Sequence, residues 1–442
     1  MGFERLEPYD GKLSRTVLRG GADSDVFPLP DYATVECVAR GLDPMTTNLV
    51  VADPDRSRNT ICLAVSPSMK ALGVKNRCRM RDIPPNIPHI VAPPRMQLYI
   101  DCAAAIHGVF LRYIAPEDIY TYSIDESFID VTPYLKMYGK TARELAKEII
   151  QAVRDIVGTV STCGIGTNMY LAKIALDILA KHDPEFIAEL DEESYQATMW
   201  DHRPLTDFWR IGPGTERKLR NHGLTTLRDI TMCNEDLLYK WFGVDAELLI
   251  DHAWGKEPVT IADIKSYESK SRSLSSSQVL LRDYKYEEAE VIVKEMMDQL
   301  CLDMAAQKYV TGSVSLYVGY SISQGIFGTG GSVRLTTETN VASIIVPAVA
   351  KLYRRITNPT LAIRRMGLSC NDVREDTNEL QLNMFEDVTK QLRNKALQET
   401  MLAIRYKYGK NAILKGVNFD EAATGRERNT QIGGHRSGKY DY

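Results

Sequence analysis

Asp125 and Glu126 are adjacent carboxylates in the run Tyr122-Ser-Ile-Asp-Glu-Ser-Phe-Ile-Asp-Val131, which otherwise reads as two short strands meeting at a turn. Carboxylates held side by side at a strand tip repel and raise each other's pKa, unless a hard cation such as Mg²⁺ sits between them and a phosphate. That arrangement is what phosphoryl transfer requires. The dipeptide alone selects little, because Asp191-Glu192 and Asp420-Glu421 repeat it in stretches that read as solvated turns. A phosphate beside such a pair calls for compensating positive charge, but spacing alone assigns no lysine to it; two lysines sit in strand-to-helix stretches. One is Lys70, in Met69-Lys-Ala-Leu-Gly-Val-Lys75, and the other is Lys173, in Thr162-Cys-Gly-Ile-Gly-Thr-Asn-Met-Tyr-Leu-Ala-Lys-Ile-Ala175. Without further context each reads as a solvated lysine.

These groups belong to a chain of 442 residues, long enough for two to four domains and a sizeable core. Its 44% hydrophobic and 25% charged residues fit an ordinary globular protein. No apolar run approaches the roughly 18 to 20 residues of a membrane span. Met1 to Gly20 has no apolar centre of a leader, so a cytoplasmic location without a membrane partner is expected. The eight cysteines contain no Cys-x-x-Cys, which argues against a zinc site or a disulfide framework. A net charge of −4 is not the footprint of a nucleic-acid binder, so any DNA contact must be a local stripe. Positive charge gathers late: residues 262–370 carry 13 Lys and Arg against 10 Asp and Glu, and residues 386–442 carry 11 against 7.

The elements that must position the carboxylates are legible in part. Arg15-Thr-Val-Leu18 reads as a strand, whereas Arg19 to Asp31 suits no regular element because Pro28 and Pro30 interrupt it. Helical periodicity marks Met96 to Leu111 and Thr141 to Val157, the latter with Leu145, Ile149, Val153 and Ile156 on one face. Thr141 and Glu144 form a capping box there, and Gly158 supplies the stop. Phe208 to Leu219, followed by Gly223 to Ile230, reads as a helix-hairpin-helix. Its turn, Ile211-Gly-Pro-Gly214, frees backbone N–H groups to bind a DNA phosphate, and glycine there lets the phosphate approach. From Lys270 the order strand-helix-strand-strand-helix-strand predicts an α+β module with one free sheet face. Leu392 to Tyr406 reads as an amphipathic helix and Arg426 to Tyr442 as disordered and basic.

The string from Tyr122 to Val131 resembles the palm motif of Y-family (translesion) DNA polymerases, particularly the UmuC-like branch of bacteria. Further motifs follow in that family's order from Tyr32 to Phe385. The resemblance implies an α+β right-hand fold: palm in 1–37 and 101–200 with 1–31 atypical, fingers in 38–100, and a helix-hairpin-helix thumb in 201–261. An α+β little finger in 262–372 and a tail in 373–442 complete it. The implied function is template-directed DNA synthesis across damaged bases in the DNA damage (SOS) response, with two Mg²⁺ ions. Asp125 would be a metal ligand, and Glu126 would order the metal and the primer end. Lys70 and Lys173 would neutralise the triphosphate of a deoxynucleoside triphosphate. Tyr32, in Tyr-Ala-Thr-Val-Glu-Cys37, would be the aromatic gate that excludes ribonucleotides.

Gly212, Gly214, Arg272, Arg334, Arg364 and Arg365 are the implied contacts to primer-template DNA. Gln381, Leu382, Met384 and Phe385 resemble the peptide that docks bacterial polymerases on a sliding clamp. A recombinase filament or accessory subunit is a further partner that the family leaves open. One departure stands out. The family places a metal-binding Asp five residues before the gate, and here that residue is Phe27. Asp23 or Asp25 is the candidate replacement. The alternatives are a polymerase fold without competent chemistry that serves as a DNA- and clamp-binding module, or a shifted reading frame across Arg19 to Asp31.

Overall fold

Strand β1 (Ser24–Pro28) leads into helix α1 (Tyr32–Ala39). The computed structural model describes residues 32–269, 272–377 and 388–438, and the backbone of Ser24–Pro28. These residues form two compact units that divide between Glu268 and Ser269. In the first unit, β2 (Leu49–Val51), β3 (Ala64–Val65) and β4 (Ile90–Ala92) make a small sheet in the order β3-β2-β4, with helix α2 (Pro67–Ala71) after β3. Helix α3 (Met96–Phe110) then leads to the hairpin of β5 (Ile119–Ser123) and β6 (Glu126–Asp130). Helices α4 (Thr132–Tyr138) and α5 (Ala142–Val157), strand β7 (Cys163–Gly166), helix α6 (Met169–Ile174), strand β8 (Ile187–Leu190) and helix α7 (Glu192–Met199) follow.

The large sheet runs β5-β6-β1-β7-β8, antiparallel except for the parallel pair β7 and β8. Helix α5 covers it with Leu145, Ile149 and Val153, all buried, and carries the capping box and left-handed Gly158 expected from its sequence. Ile156 departs from the expected face. It lies in the last turn and is 49% exposed.

β1 departs from expectation as well, because Ser24–Pro28 forms the central strand of this sheet despite its proline. Pro28 ends the strand and pairs with β6 only, while the ladder to β7 stops at Val26, so its missing N–H breaks no bond on that side. The expected strand ending at Leu18 lies outside the described residues.

Five helices complete the first unit: α8 (Pro213–Asn221), α9 (Leu227–Met232), α10 (Glu235–Phe242), α11 (Asp245–Ala253) and α12 (Ile261–Ser266). The second unit contains β9 (Leu274–Tyr284), α13 (Tyr286–Ala306), β10 (Tyr309–Tyr320), β11 (Thr329–Thr339), α14 (Ala342–Ile356) and β12 (Ile363–Asn371). Its sheet runs β11-β10-β12-β9. Val314, Leu316 and Val318 of β10 are buried in one core with Ile292, Met296 and Leu300 of α13 and Ile345 and Val349 of α14. Along β11 exposure alternates residue by residue, as a half-covered sheet requires.

The tail adds α15 (Val388–Tyr408), α16 (Gly425–Arg428) and a short hairpin pairing Gln431–Ile432 with His435–Arg436. This corrects the reading of Arg426 onward as disordered, for the described part through Gly438. Polar groups just before that stretch find buried partners on α13. Glu295 accepts bonds from Thr424 N (2.8 Å), Thr424 Oγ1 (2.7 Å) and Gly425 N (3.0 Å), and Lys415 pairs with Asp298.

Candidate active site

The β5–β6 hairpin turns through Ile124 and Asp125, with Ser123 opposite Glu126. Asp125 is exposed at the tip, where its N–H donates to Ser123 Oγ (3.1 Å) and its carboxylate accepts from the same hydroxyl. Glu126 begins the buried strand and points into the protein. Its Oε1 accepts from Lys173 Nζ (2.8 Å), whereas its Oε2 is buried with no hydrogen-bond partner among the described residues. Burial pushes the Glu126 carboxyl above the ordinary range, and the attraction of Lys173 only partly opposes this.

Lys173 is 1% exposed and sits between two acids, with Asp177 Oδ2 at 3.0 Å on its other side. Burial alone would lower its pKa, yet Asp177 and Glu126 together hold it above the usual lysine value. Burial would raise Asp177, but Lys173 and Lys181 hold it low instead. Asp177 lies four residues after Lys173, within reach along the helix, where α6 continues into the wide π-type turn Ala175–Leu179. The expectation had Lys173 facing a triphosphate, and the structure places it behind Glu126 as a buried cation.

Two glycines bring α6 this close. A Cβ on Gly166 would lie 2.3 Å from Ala172 N, and one on Gly164 would lie 2.2 Å from Ala172 O. Asn168 caps the helix, accepting from Leu171 N (2.9 Å), and its amide donates to Gly255 O (2.8 Å).

Tyr32 opens α1 and stacks on Tyr99 of α3, with ring centroids 4.5 Å apart and planes within 12°. A fully buried carboxylate, Glu36, fixes that pair of helices. It accepts Arg95 Nε (2.9 Å), Arg95 Nη2 (2.7 Å) and the Tyr99 hydroxyl (2.8 Å), and it also pairs with Arg40. Burial pushes the Tyr99 hydroxyl up to about 12, so it remains a donor. Lys70 is exposed on α2, a helix capped by Ser66 with Pro67 at its first position, where proline lacks nothing the helix needs.

Gly212 is the N-cap of α8 and Gly214 lies in its first turn, and a Cβ at either would meet nothing within 4 Å. In the second unit Arg334 and Arg365 are exposed on β11 and β12. Arg364 lies 3.6 Å from Asp283, and Arg272 bonds the Tyr309 hydroxyl (3.1 Å). Asp23 and the peptide containing Gln381, Leu382, Met384 and Phe385 lie outside the described residues. Asp25 stands opposite Ile129, three rungs from the Pro28–Glu126 rung. At about 3.4 Å per residue that is roughly 10 Å along the strand.

Sequence reasoning missed Trp209. Its indole N–H donates to the Tyr122 hydroxyl (2.8 Å), and its ring meets Tyr122 edge-on at 5.8 Å, tying the segment before the Gly212 hairpin to the carboxylate strand. The signal was an aromatic two residues before the hairpin isoleucine, with nothing to identify its partner. Trp209→Phe and Tyr122→Phe should each cost about 1 kcal/mol. The double variant should cost less than their sum, with a coupling of about 0.5 to 1.5 kcal/mol by thermal unfolding.

Comparisons with known proteins identify the family and the fold. Residues 29–177 match the impB/mucB/samB family, and residues 271–384 match the impB/mucB/samB family C-terminal domain. The "Putative UV-damage repair protein UvrX" of Bacillus subtilis (strain 168) is 32% identical over 410 residues, covering 92% of this chain and 95% of its own. "DNA polymerase IV 2" of the same organism is 29% identical over 412 residues, covering 91% and 96%. A solved Y-family DNA polymerase chimera of Dbh and Dpo4 superposes with a TM-score of 0.62 at 19% identity, covering 80% of this chain and 99% of its own. The fold is therefore that of a right-hand polymerase of the α+β class. The chain belongs to the impB/mucB/samB family, the UmuC-like branch of the Y-family DNA-directed DNA polymerases.

Proposed function

We propose that this chain carries out template-directed DNA synthesis across damaged templates, joining a primer 3′-hydroxyl to the α-phosphate of a deoxynucleoside triphosphate. The observation that carries the reading is the meeting at one hairpin of exposed Asp125, buried Lys173, and Glu126, whose Oε2 has no partner among the described residues. Asp125 and Glu126 are hard oxygen donors, and an orphaned carboxylate oxygen suits a cation, so these residues fit one Mg²⁺. Among the described residues no group of three or more His, Cys, Asp or Glu is placed to hold a metal ion. The two-ion site of the family therefore needs a carboxylate from elsewhere, for which Asp23 is the candidate. When bound, Mg²⁺ supplies charge neutralisation at the reacting phosphates.

The chain's own residues do the rest. Lys173 holds Glu126 in place and offsets its charge, and Lys70 on α2 binds the triphosphate. Tyr32, backed by Tyr99, excludes a ribose 2′-hydroxyl. In this reading the large sheet is the palm and the small sheet the fingers. The helices from α8 form the thumb, whose Gly212–Gly214 turn binds a duplex phosphate. The second unit is the little finger, with Arg272, Arg334, Arg364 and Arg365 along the DNA backbone. Gln381 to Phe385 docks a sliding clamp, and the setting is the cytoplasm.

Primer extension on an undamaged template with Mg²⁺ and four deoxynucleotides tests the reading. The parent should extend, and Asp125→Ala should slow extension at least about 100-fold. Because Asp125 is exposed in a turn, its stability should stay within about 0.5 kcal/mol. A parent that binds primer-template yet extends nothing would replace this reading with that of a DNA- and clamp-binding module.

A further inference from the structure

The described tail lies beyond the matched family segment, which ends at residue 384, and nothing in the catalytic reading uses it. It is nevertheless a built element. Besides the bonds that Glu295 and Asp298 make, the buried Gln398 amide donates to Cys301 O (3.0 Å) and Asn340 O (2.9 Å). Whatever this segment displays, it displays from a fixed base.

What it displays is aromatic and cationic. Tyr406 is 96% exposed, Tyr408 66% and Phe419 63%, whereas Tyr353 of the same unit lies in the core. Cations accompany them. Lys407 lies over the Tyr408 ring at 5.1 Å, Arg426 lies over Phe419 at 5.2 Å, and Lys410 is exposed nearby in sequence. The loop that follows α15 is tied to α16. Asn411 donates to Arg426 O (3.0 Å) and accepts from Asn429 (2.8 Å). Over residues 405–436 there are seven Lys and Arg against three Asp and Glu, in a chain whose net charge is −4.

From this juxtaposition of exposed Tyr406, Tyr408 and Phe419 with Lys407, Lys410 and Arg426, we infer that the tail binds single-stranded nucleic acid. The charge selects an anionic partner, and the uncovered rings select one with free flat faces. An unpaired polynucleotide has both, with bases to stack on the rings and phosphates for the cations. A duplex offers the phosphates alone, since its bases stack on one another. A protein surface of matching charge would serve the cations but leave the rings exposed to its carboxylates.

The test needs no synthesis, so its outcome is separate from that of the catalytic reading. The full chain is titrated into fluorescein-labelled oligo(dT) and into a blunt duplex of equal length, without nucleotides, and anisotropy is read across salt concentrations. Tyr406→Ala, Tyr408→Ala and Phe419→Ala together should weaken oligo(dT) binding about tenfold or more and leave the duplex within about twofold. Lys407→Gln, Lys410→Gln and Arg426→Gln together should reduce the slope of log affinity against log salt on oligo(dT) by about 2. Tyr406→Ala alone, at a ring 96% exposed, leaves the fold untouched and should still weaken oligo(dT) several-fold. Unchanged oligo(dT) affinity in the aromatic variants, or equal losses on duplex and single strand, would overturn the inference.

Discussion

Lys173→Met will destabilise the first unit by about 3 to 5 kcal/mol at neutral pH, the usual consequence of removing one partner from a buried ion pair. The methionine fills much of the volume, so the loss is electrostatic. Glu126 and Asp177, both only partly exposed, lose the cation that both contact, at 2.8 and 3.0 Å. The pH dependence follows from the sign of each shift. Lys173 has a raised pKa, so its contribution is present throughout the range below the ordinary lysine value and is lost only as pH rises through the raised one. Asp177 is depressed, so its contribution is present above the ordinary aspartate value and is lost as pH falls through the depressed one. Glu126 is raised, so its contribution is full below the ordinary glutamate value and is lost as pH rises through the raised one.

In the variant both acids shift upward. The deficit relative to the parent should therefore be largest near pH 8 and shrink as the solution is acidified into the carboxylate range. Thermal midpoints of parent and variant at pH 8 and pH 5 measure this, with an expected gap on the order of 10 °C at pH 8. A gap that is absent, or equal at the two pH values, would show that the lysine is not the counter-charge of these acids.

Lys173 also illustrates what a sequence can disclose. The hairpin that carries Asp125 was legible because both strands and their turn are local patterns, as was α5, with its box at Thr141 and Glu144 and its stop at Gly158. The order of the second unit's elements was legible for the same reason. What escaped were pairings across distance. Trp209 and Tyr122 are 87 residues apart, Arg95 and Glu36 are 59 apart, and Thr424 and Glu295 are 129 apart. A helical Glu reads as a solvent-facing charge until the segment that buries it is known, and nothing near Arg426 in sequence disclosed the anchor just before it. Asp177 was one turn from Lys173 in sequence. Nothing local said that the helix would widen there, or that the lysine would face inward between two acids. β1 was obscured by Pro28, whose harmlessness depends on where the neighbouring ladder stops.

Gly166→Ala and Gly164→Ala should each cost at least about 3 kcal/mol, the upper end of what overpacking a close-packed core produces. At Gly166 the added carbon would lie 2.3 Å from Ala172 N and 2.7 Å from Leu171 C. At Gly164 it would lie 2.2 Å from Ala172 O and 2.4 Å from Leu176 N. All of these are backbone atoms, so no side chain can swing aside. Unstrained contacts need about 3.5 Å, which asks α6 to retreat by more than about 1 Å. The helix has nowhere to go, because every residue from Met169 to Ile174 is buried. Any retreat also draws Lys173 Nζ away from Glu126 Oε1, now 2.8 Å off, so primer extension should fall with stability. Gly214→Ala is the contrasting case. Its Cβ position is open, and alanine suits a helix better than glycine by up to about 1 kcal/mol, so its thermal midpoint should hold or rise. If Gly166→Ala unfolded no more readily than Gly214→Ala, the close approach of α6 to β7 would not be what seats the lysine. The buried charge cluster would then have to be held by Asn168 and its bond to Gly255 instead.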